Sequence, residues 1–139
     1  MTKSASSGYS GTPLPRKLGI THGTRLLALN KPPAYPGILG DLPPGATFVS
    51  RAGASVDIAH LFAVRRAELE RQLKRLRASL RPDAVVWVSW PKKAAKVPTD
   101  ITEDVIRAVT LPMGFVDVKV CAVTDVWSGL KLTVRKELR

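Results

Sequence analysis

The sequence predicts an α/β domain with a mostly parallel sheet closed by an antiparallel hairpin, and three observations carry that expectation. Short, almost continuously apolar runs recur at "TRLLALN" (24–30), "VDIAHLFAV" (56–64) and "AVVWVSW" (84–90), as in strands covered on both faces. Stretches of helical period follow the second and third of these runs. Two alternating runs, "FVDVKVCAV" (115–123) and "LKLTVRKEL" (130–138), then close the chain as a hairpin across "TDVWSG".

Taken in order, residues 1–12 are rich in Ser, Gly and Thr and read as a flexible N-terminal segment ahead of a single domain over 13–139. "PLPRKLGI" (13–20) has room for one helical turn or two, ending at Gly19. After the first strand, "KPPAYPGILGDLPPG" is too dense in Pro and Gly for a long helix, and allows only a short turn around 37–40. "ATFVS" (46–50) is a short second strand.

From Arg66 to Leu80 the period changes: Leu69, Leu73, Leu76 and Leu80 fall on one helix face, and Glu70 precedes Lys74 by one turn. Pro82 stops that helix. Asp100 and Glu103 stand at capping-box spacing with Asp100 as the cap, ahead of a helix whose buried face is Ile101, Val105, Ala108 and Val109. In the first alternating run, Asp117 and Lys119 are expected on one face and Val116, Val118 and Val120 on the other.

A chain of 139 residues suits one core. Twenty-two Lys and Arg against eleven acids give a net charge of +11, a field that favours anionic partners. The single Cys121 rules out an internal disulfide and a cysteine-built zinc cluster. No apolar run approaches the ~20 residues of a membrane span, and the first residues lack the apolar core of a secretory signal. The expected location is cytoplasmic.

The order of elements resembles a shortened methyltransferase-type Rossmann domain, whose sheet also ends in an antiparallel strand. At the level of motifs, "YSGTPLPRKLGI", "SWPKK", "TDITEDVIR" and "DVKVCAVTDVWSGLKLTVR" resemble a family of small bacterial proteins of unknown function, over 9–135. The resemblance implies a Rossmann-like fold and supplies no reaction. In a methyltransferase the first strand delivers a glycine-rich turn to the cofactor, and the second ends in an acid that holds the ribose hydroxyls. Here those places hold Asn30-Lys31-Pro32-Pro33 and Ser50-Arg51. Proline offers no N–H and cannot take positive φ, so the adenosylmethionine cradle is not expected, and the sequence names no other cofactor.

No catalytic residue stands out. His22 and His60 lack metal-ligand spacing, His60 lies inside an apolar strand, and Cys121 sits mid-strand as a small hydrophobe. The candidates are cations at strand ends, because ligands of open α/β sheets bind outside the carboxyl ends of the strands. Lys92 and Lys93 follow the fourth strand, Lys96 lies three residues on, and Asn30 and Lys31 follow the first. Trp90, beside Pro91, is a candidate wall. The opposing reading pairs Lys92 and Lys93 with Asp100, Glu103 and Asp104.

A non-catalytic binder of an anionic small molecule or an acidic partner protein follows from this reading. A divergent transferase is the alternative from another class. A third is a non-specific nucleic-acid binder acting through Arg66, Arg71, Lys74, Arg75 and Arg77, a helix that lacks the interleaved aromatics of a base reader.

Overall fold

A computed structural model describes residues 11–139; most of the expected flexible segment, residues 1–10, lies outside the described residues. The elements are α1 (Leu14–Leu18), β1 (Arg25–Leu29), α2 (Tyr35–Leu39), β2 (Thr47–Val49), β3 (Ile58–Phe62), α3 (Arg66–Ser79), β4 (Val85–Pro91), α4 (Glu103–Thr110), β5 (Phe115–Ala122) and β6 (Trp127–Val134). The six strands form one sheet in the order β2-β1-β3-β4-β6-β5. The first four are parallel, and β6 runs antiparallel to both β4 and β5. This is a Rossmann-like, methyltransferase-like α/β fold.

Strand periodicity divides the apolar residues between two faces. Leu27, Ala59, Leu61, Val86, Val88, Trp90, Leu130 and Leu132 pack under Leu69, Leu73 and Leu76 of α3 and Ile106 and Val109 of α4. Leu26, Ile58, Phe62 and Trp87 pack under Leu14 and Leu18 of α1 and Tyr35 and Leu39 of α2. α1 ends at Gly19, whose φ of 84° supplies the left-handed cap. The Trp87 indole N–H donates to the Leu18 carbonyl at 3.0 Å, pinning that turn to the sheet.

Four expectations need correction. The third strand spans Ile58–Phe62 and not 56–64, because Val56 N–H is already spent in a turn on Gly53. The N-cap of α4 is Thr102, whose hydroxyl accepts from Val105 N–H at 3.1 Å; Asp100 instead accepts the backbone N–H of Arg66 at the start of α3. Glu70 turns back to Arg66 at 4.0 Å instead of forward to Lys74.

The last correction concerns β5, whose alternation breaks at a register shift between Asp117 and Lys119. Asp117 pairs with Leu132 and Lys119 with Lys131, neighbours on opposite faces, so the two charges part company. Val118 and Val120 are left 51% and 48% exposed on this edge strand. A bulge and a central lysine are ordinary protections for such an edge.

Candidate functional site

The chain leaves β1 through α2 to reach β2 on one side, then returns to β3 on the other. α2 and α3 cover opposite faces, so the crevice between the carboxyl ends of β1 and β3 is the topological switch point, where open sheets bind ligands. A cavity of about 200 Å³ lies there, lined by Asn30, Phe62, Ala63, Val64, Arg65, Glu68 and Trp127.

Each wall has a local cause. Asn30 ends β1 in the left-handed region at φ 57°, a conformation that asparagine tolerates better than most residues. Its amide donates to Glu68 Oε2 at 3.3 Å. Gln72 donates to the same oxygen at 3.0 Å, and Arg71 pairs with Oε1. Hydrogen bonds from Gln72, Arg71 and Asn30, in that order, hold the Glu68 carboxyl below its ordinary pKa. Its charge is therefore already matched, and Arg65 at the mouth makes no ion pair among the described residues.

Trp127 opens β6 opposite Pro91 and is half-buried, its ring meeting Phe62 edge-on with centroids 5.0 Å apart. The first residue of β6 thus lays its ring back over the core. Lys92 lies beside it, its backbone N–H donating to the Val126 carbonyl at 2.7 Å. Lys93 is exposed in a 3-10 turn over Lys93–Ala95, and Lys96 caps that turn at φ 57°. Lys31 is exposed beyond β1 and borders a second, larger groove of about 740 Å³ with Tyr35, Phe48 and Ser50.

The acids named as partners for the lysines are engaged elsewhere. Asp100 caps α3, and Glu103 and Asp104 pair with Arg107, which also reaches Asp117. Trp90 is 7% exposed and packed in the core beneath α3 and α4, so it is not the wall expected of it and does not line the cavity.

Of the strand-end candidates only Asn30 lines this cavity; Lys31, Trp90, Lys92, Lys93 and Lys96 do not, and Arg65, Glu68, Phe62 and Trp127 were not among them. Arg65 carried the same signal as Lys92, since it is the last residue before a helical period begins after an apolar strand. Phe62 and Trp127 meet only through the register of non-consecutive strands.

A polar chain crosses the opposite side of Phe62. Tyr35 Oη lies 2.9 Å from His60 Nδ1, and His60 Nε2 lies 2.7 Å from Ser89 Oγ. The phenol is the stronger hydroxyl donor, so we assign Tyr35 as donating to Nδ1 and Nε2–H as donating to Ser89. Desolvation by complete burial lowers the His60 pKa to about 3, and burial also raises that of Tyr35. The imidazole stays neutral with both nitrogens engaged, out of contact with solvent. This is a cross-brace between α2, β3 and β4, not a general base. Burial likewise pushes the Cys121 thiol up, away from thiolate chemistry.

The cations of α3 are mostly tied to their own helix or its neighbours. Arg66 pairs with Glu70, Arg71 with Glu68, Arg75 donates to Gln72 at 3.1 Å, and Arg77 donates to the Met113 carbonyl at 3.0 Å. Lys74 is exposed. Among the described residues no cluster of His, Cys, Asp and Glu is placed to hold a metal ion, and no helix is long and apolar enough to cross a membrane.

No family model matches the chain, and no curated protein matches it. Its fold is that of solved methyltransferases. The mitomycin 7-O-methyltransferase MmcR superposes with a TM-score of 0.61 at 12% identity, over 81% of this chain and 49% of that one. This chain thus spans about half the length of that enzyme. A SAM-dependent methyltransferase from Aquifex aeolicus gives 0.57 at 11% identity over 88% of both chains. Magnesium protoporphyrin IX methyltransferase (ChlM) from Synechocystis PCC 6803, solved with bound SAM, gives 0.55 at 12% over 88% and 74%.

The fold raises the question of adenosylmethionine, and the turn after β1 answers against the usual cradle. Asn30 supplies one left-handed residue, but Pro32 and Pro33 follow at once and bring no N–H to a ligand. Ser50 and Arg51 stand exposed after β2, where a carboxylate would serve the ribose. These residues do not fit that group.

Proposed function

We propose that the protein binds an anionic small molecule at the carboxyl ends of its parallel strands and does so without catalysing a reaction. The observation that supports this most is the switch-point cavity, with Arg65 making no ion pair among the described residues and the carboxylate in its wall paired with Arg71 and hydrogen-bonded by Gln72 and Asn30. Lys31 leaves the end of β1 and Lys92 and Lys93 leave the end of β4, with β3 between them, so their fields add along one edge of the sheet. A concave site with apolar walls suits a small molecule better than an acidic protein surface.

The second reading, a divergent methyltransferase-like enzyme, draws on the fold likeness and on Asn30 standing in the left-handed conformation at the end of β1. Calorimetric titration with ATP, coenzyme A, phosphate and S-adenosylhomocysteine, with a turnover assay in parallel, separates the two. Binding of a phosphate or carboxylate compound without turnover is expected. Turnover of a methyl donor would replace the first reading by the second.

A further inference from the structure

We propose that the crevice between β1 and β3 accepts a monocyclic aromatic acid, a single ring bearing one carboxylate or phosphate. This rests on the anion-binding reading above and narrows it to a ligand class.

Size comes first. An apolar cavity of roughly 150 Å³ accommodates benzene. The crevice, at about 200 Å³, therefore has room for one six-membered ring and a small substituent.

The walls decide the rest. Phe62, 1% exposed, forms the floor, with His60 stacked on it at 4.3 Å. Trp127 stands at 87° to Phe62 and is half-buried. A third ring entering here continues an edge-to-face arrangement, the geometry that aromatic quadrupoles prefer. Ala63 and Val64 complete an apolar surround.

At the rim the Arg65 guanidinium offers a planar fork matched to a carboxylate or phosphate. The Asn30 amide lines the same crevice, its bond to Glu68 a long one at 3.3 Å. An acid with its ring inward and its charge outward satisfies both halves of the site. Neither half alone explains why an apolar, aromatic-walled crevice should end in an unpaired arginine.

The test is calorimetry on the full chain with benzoate and phenyl phosphate, against acetate and inorganic phosphate (charge without ring), benzyl alcohol (ring without charge) and AMP. The ring-bearing acids are expected to bind roughly tenfold more tightly than either half-ligand, since burying a ring adds its own transfer free energy. Arg65→Met should abolish the advantage over benzyl alcohol. Trp127→Leu should abolish the advantage over acetate, and Trp127→Phe, which keeps a ring and spares the fold, should retain part of it.

Equal binding of benzoate and acetate would overturn the proposal. AMP binding more tightly than phenyl phosphate, in a manner dependent on Lys92 and Lys93, would also overturn it while leaving the anion-binding reading intact. No binding by any anion would overturn both.

Discussion

The Asp100 carboxylate accepts the backbone N–H of Arg66 across 2.6 Å, so a residue from the loop before α4 closes the first turn of α3. Thr99 reinforces the strap, its hydroxyl donating to the Val64 carbonyl at 2.6 Å and accepting from Ile101 N–H at 3.1 Å. The strap holds residues 64–66 at the border of the switch-point cavity. Asp100→Ala should therefore lower stability by about 1 kcal/mol, the usual worth of a side-chain helix cap. Asp100→Asn should cost less. Urea unfolding measures both, and unchanged hydrogen exchange at the start of α3 in the alanine variant would count against the role.

His60 makes stability depend on pH. Its pKa is near the ordinary ~6.5 in the unfolded chain and about 3 in the fold. Below ~6.5 the unfolded state therefore binds a proton that the native state refuses. Stability should be level above neutrality and fall as pH drops below ~6.5, with a slope approaching ~1.4 kcal/mol per pH unit. Asp57, Glu68 and Asp117 have lowered pKa values, so their contributions are lost only in more acidic solution. The window between about pH 6.5 and about pH 4.5 belongs to the imidazole. Urea titrations across it should show the slope in the parent and lose it in His60→Gln.

Tyr35→Phe removes the donor to His60 Nδ1 and leaves that nitrogen buried without a partner. The expected cost is roughly 1–3 kcal/mol, the desolvation penalty of an unsatisfied polar group. Anion binding at the crevice should persist, because Phe62 stands between this chain of groups and the cavity. A variant as stable as the parent would show that the hydroxyl contributes nothing net.

Lys92→Ala combined with Lys93→Ala should weaken an anion bound in the crevice by no more than the ~1 kcal/mol of an exposed ion pair, because neither lysine lines it. Thermal stability should shift little for the Lys93 change, since that side chain is exposed. Calorimetry beside a thermal melt separates the two effects. Unaltered affinity would reduce the loop to scaffold.

Adenosylmethionine should show no micromolar binding that depends on the turn after β1. The prolines at 32 and 33 remove the donors that such a cradle uses. Calorimetric binding in that range, abolished by changes at Asn30 or Lys31, would falsify this reading of the turn.

Which of these features could be read from the sequence follows from the range of the interactions involved. β1, β3 and β4 were legible because burial on both faces writes a continuous apolar run, and α3 because its leucines keep helical spacing. The hairpin was legible from alternation, but its second strand runs from Trp127 to Val134 instead of 130–138, because Trp127, Ser128 and Gly129 of the expected turn already pair with β4. The bulge in β5 was not, since an extra residue leaves the alternating letters unchanged while reversing the faces after it. Asp100 was misassigned for a different reason. Its spacing to Glu103 is local and suggestive, but the donor it serves belongs to Arg66, which no nearby pattern indicates. The brace among Tyr35, His60 and Ser89 needed the register of β3 on β4 and a tyrosine from a proline-rich stretch with no periodicity to read. At the cavity, strand ends gave Asn30 alone. The aromatic wall depended on β6 being inserted next to β4.

That insertion also bears on the order in which the protein can be made. β6 follows the other five described strands of the sheet in the chain, yet it lies between β4 and β5. Until residues 127–134 emerge, β4 has a bare edge of unpaired amides and carbonyls, and β5 has no strand to join. Synthesis at roughly 5–20 residues per second leaves the nascent chain in that state for a second or more. The sheet closes by receiving its final strand into a waiting gap, and the wall that Trp127 gives to the crevice arrives with it.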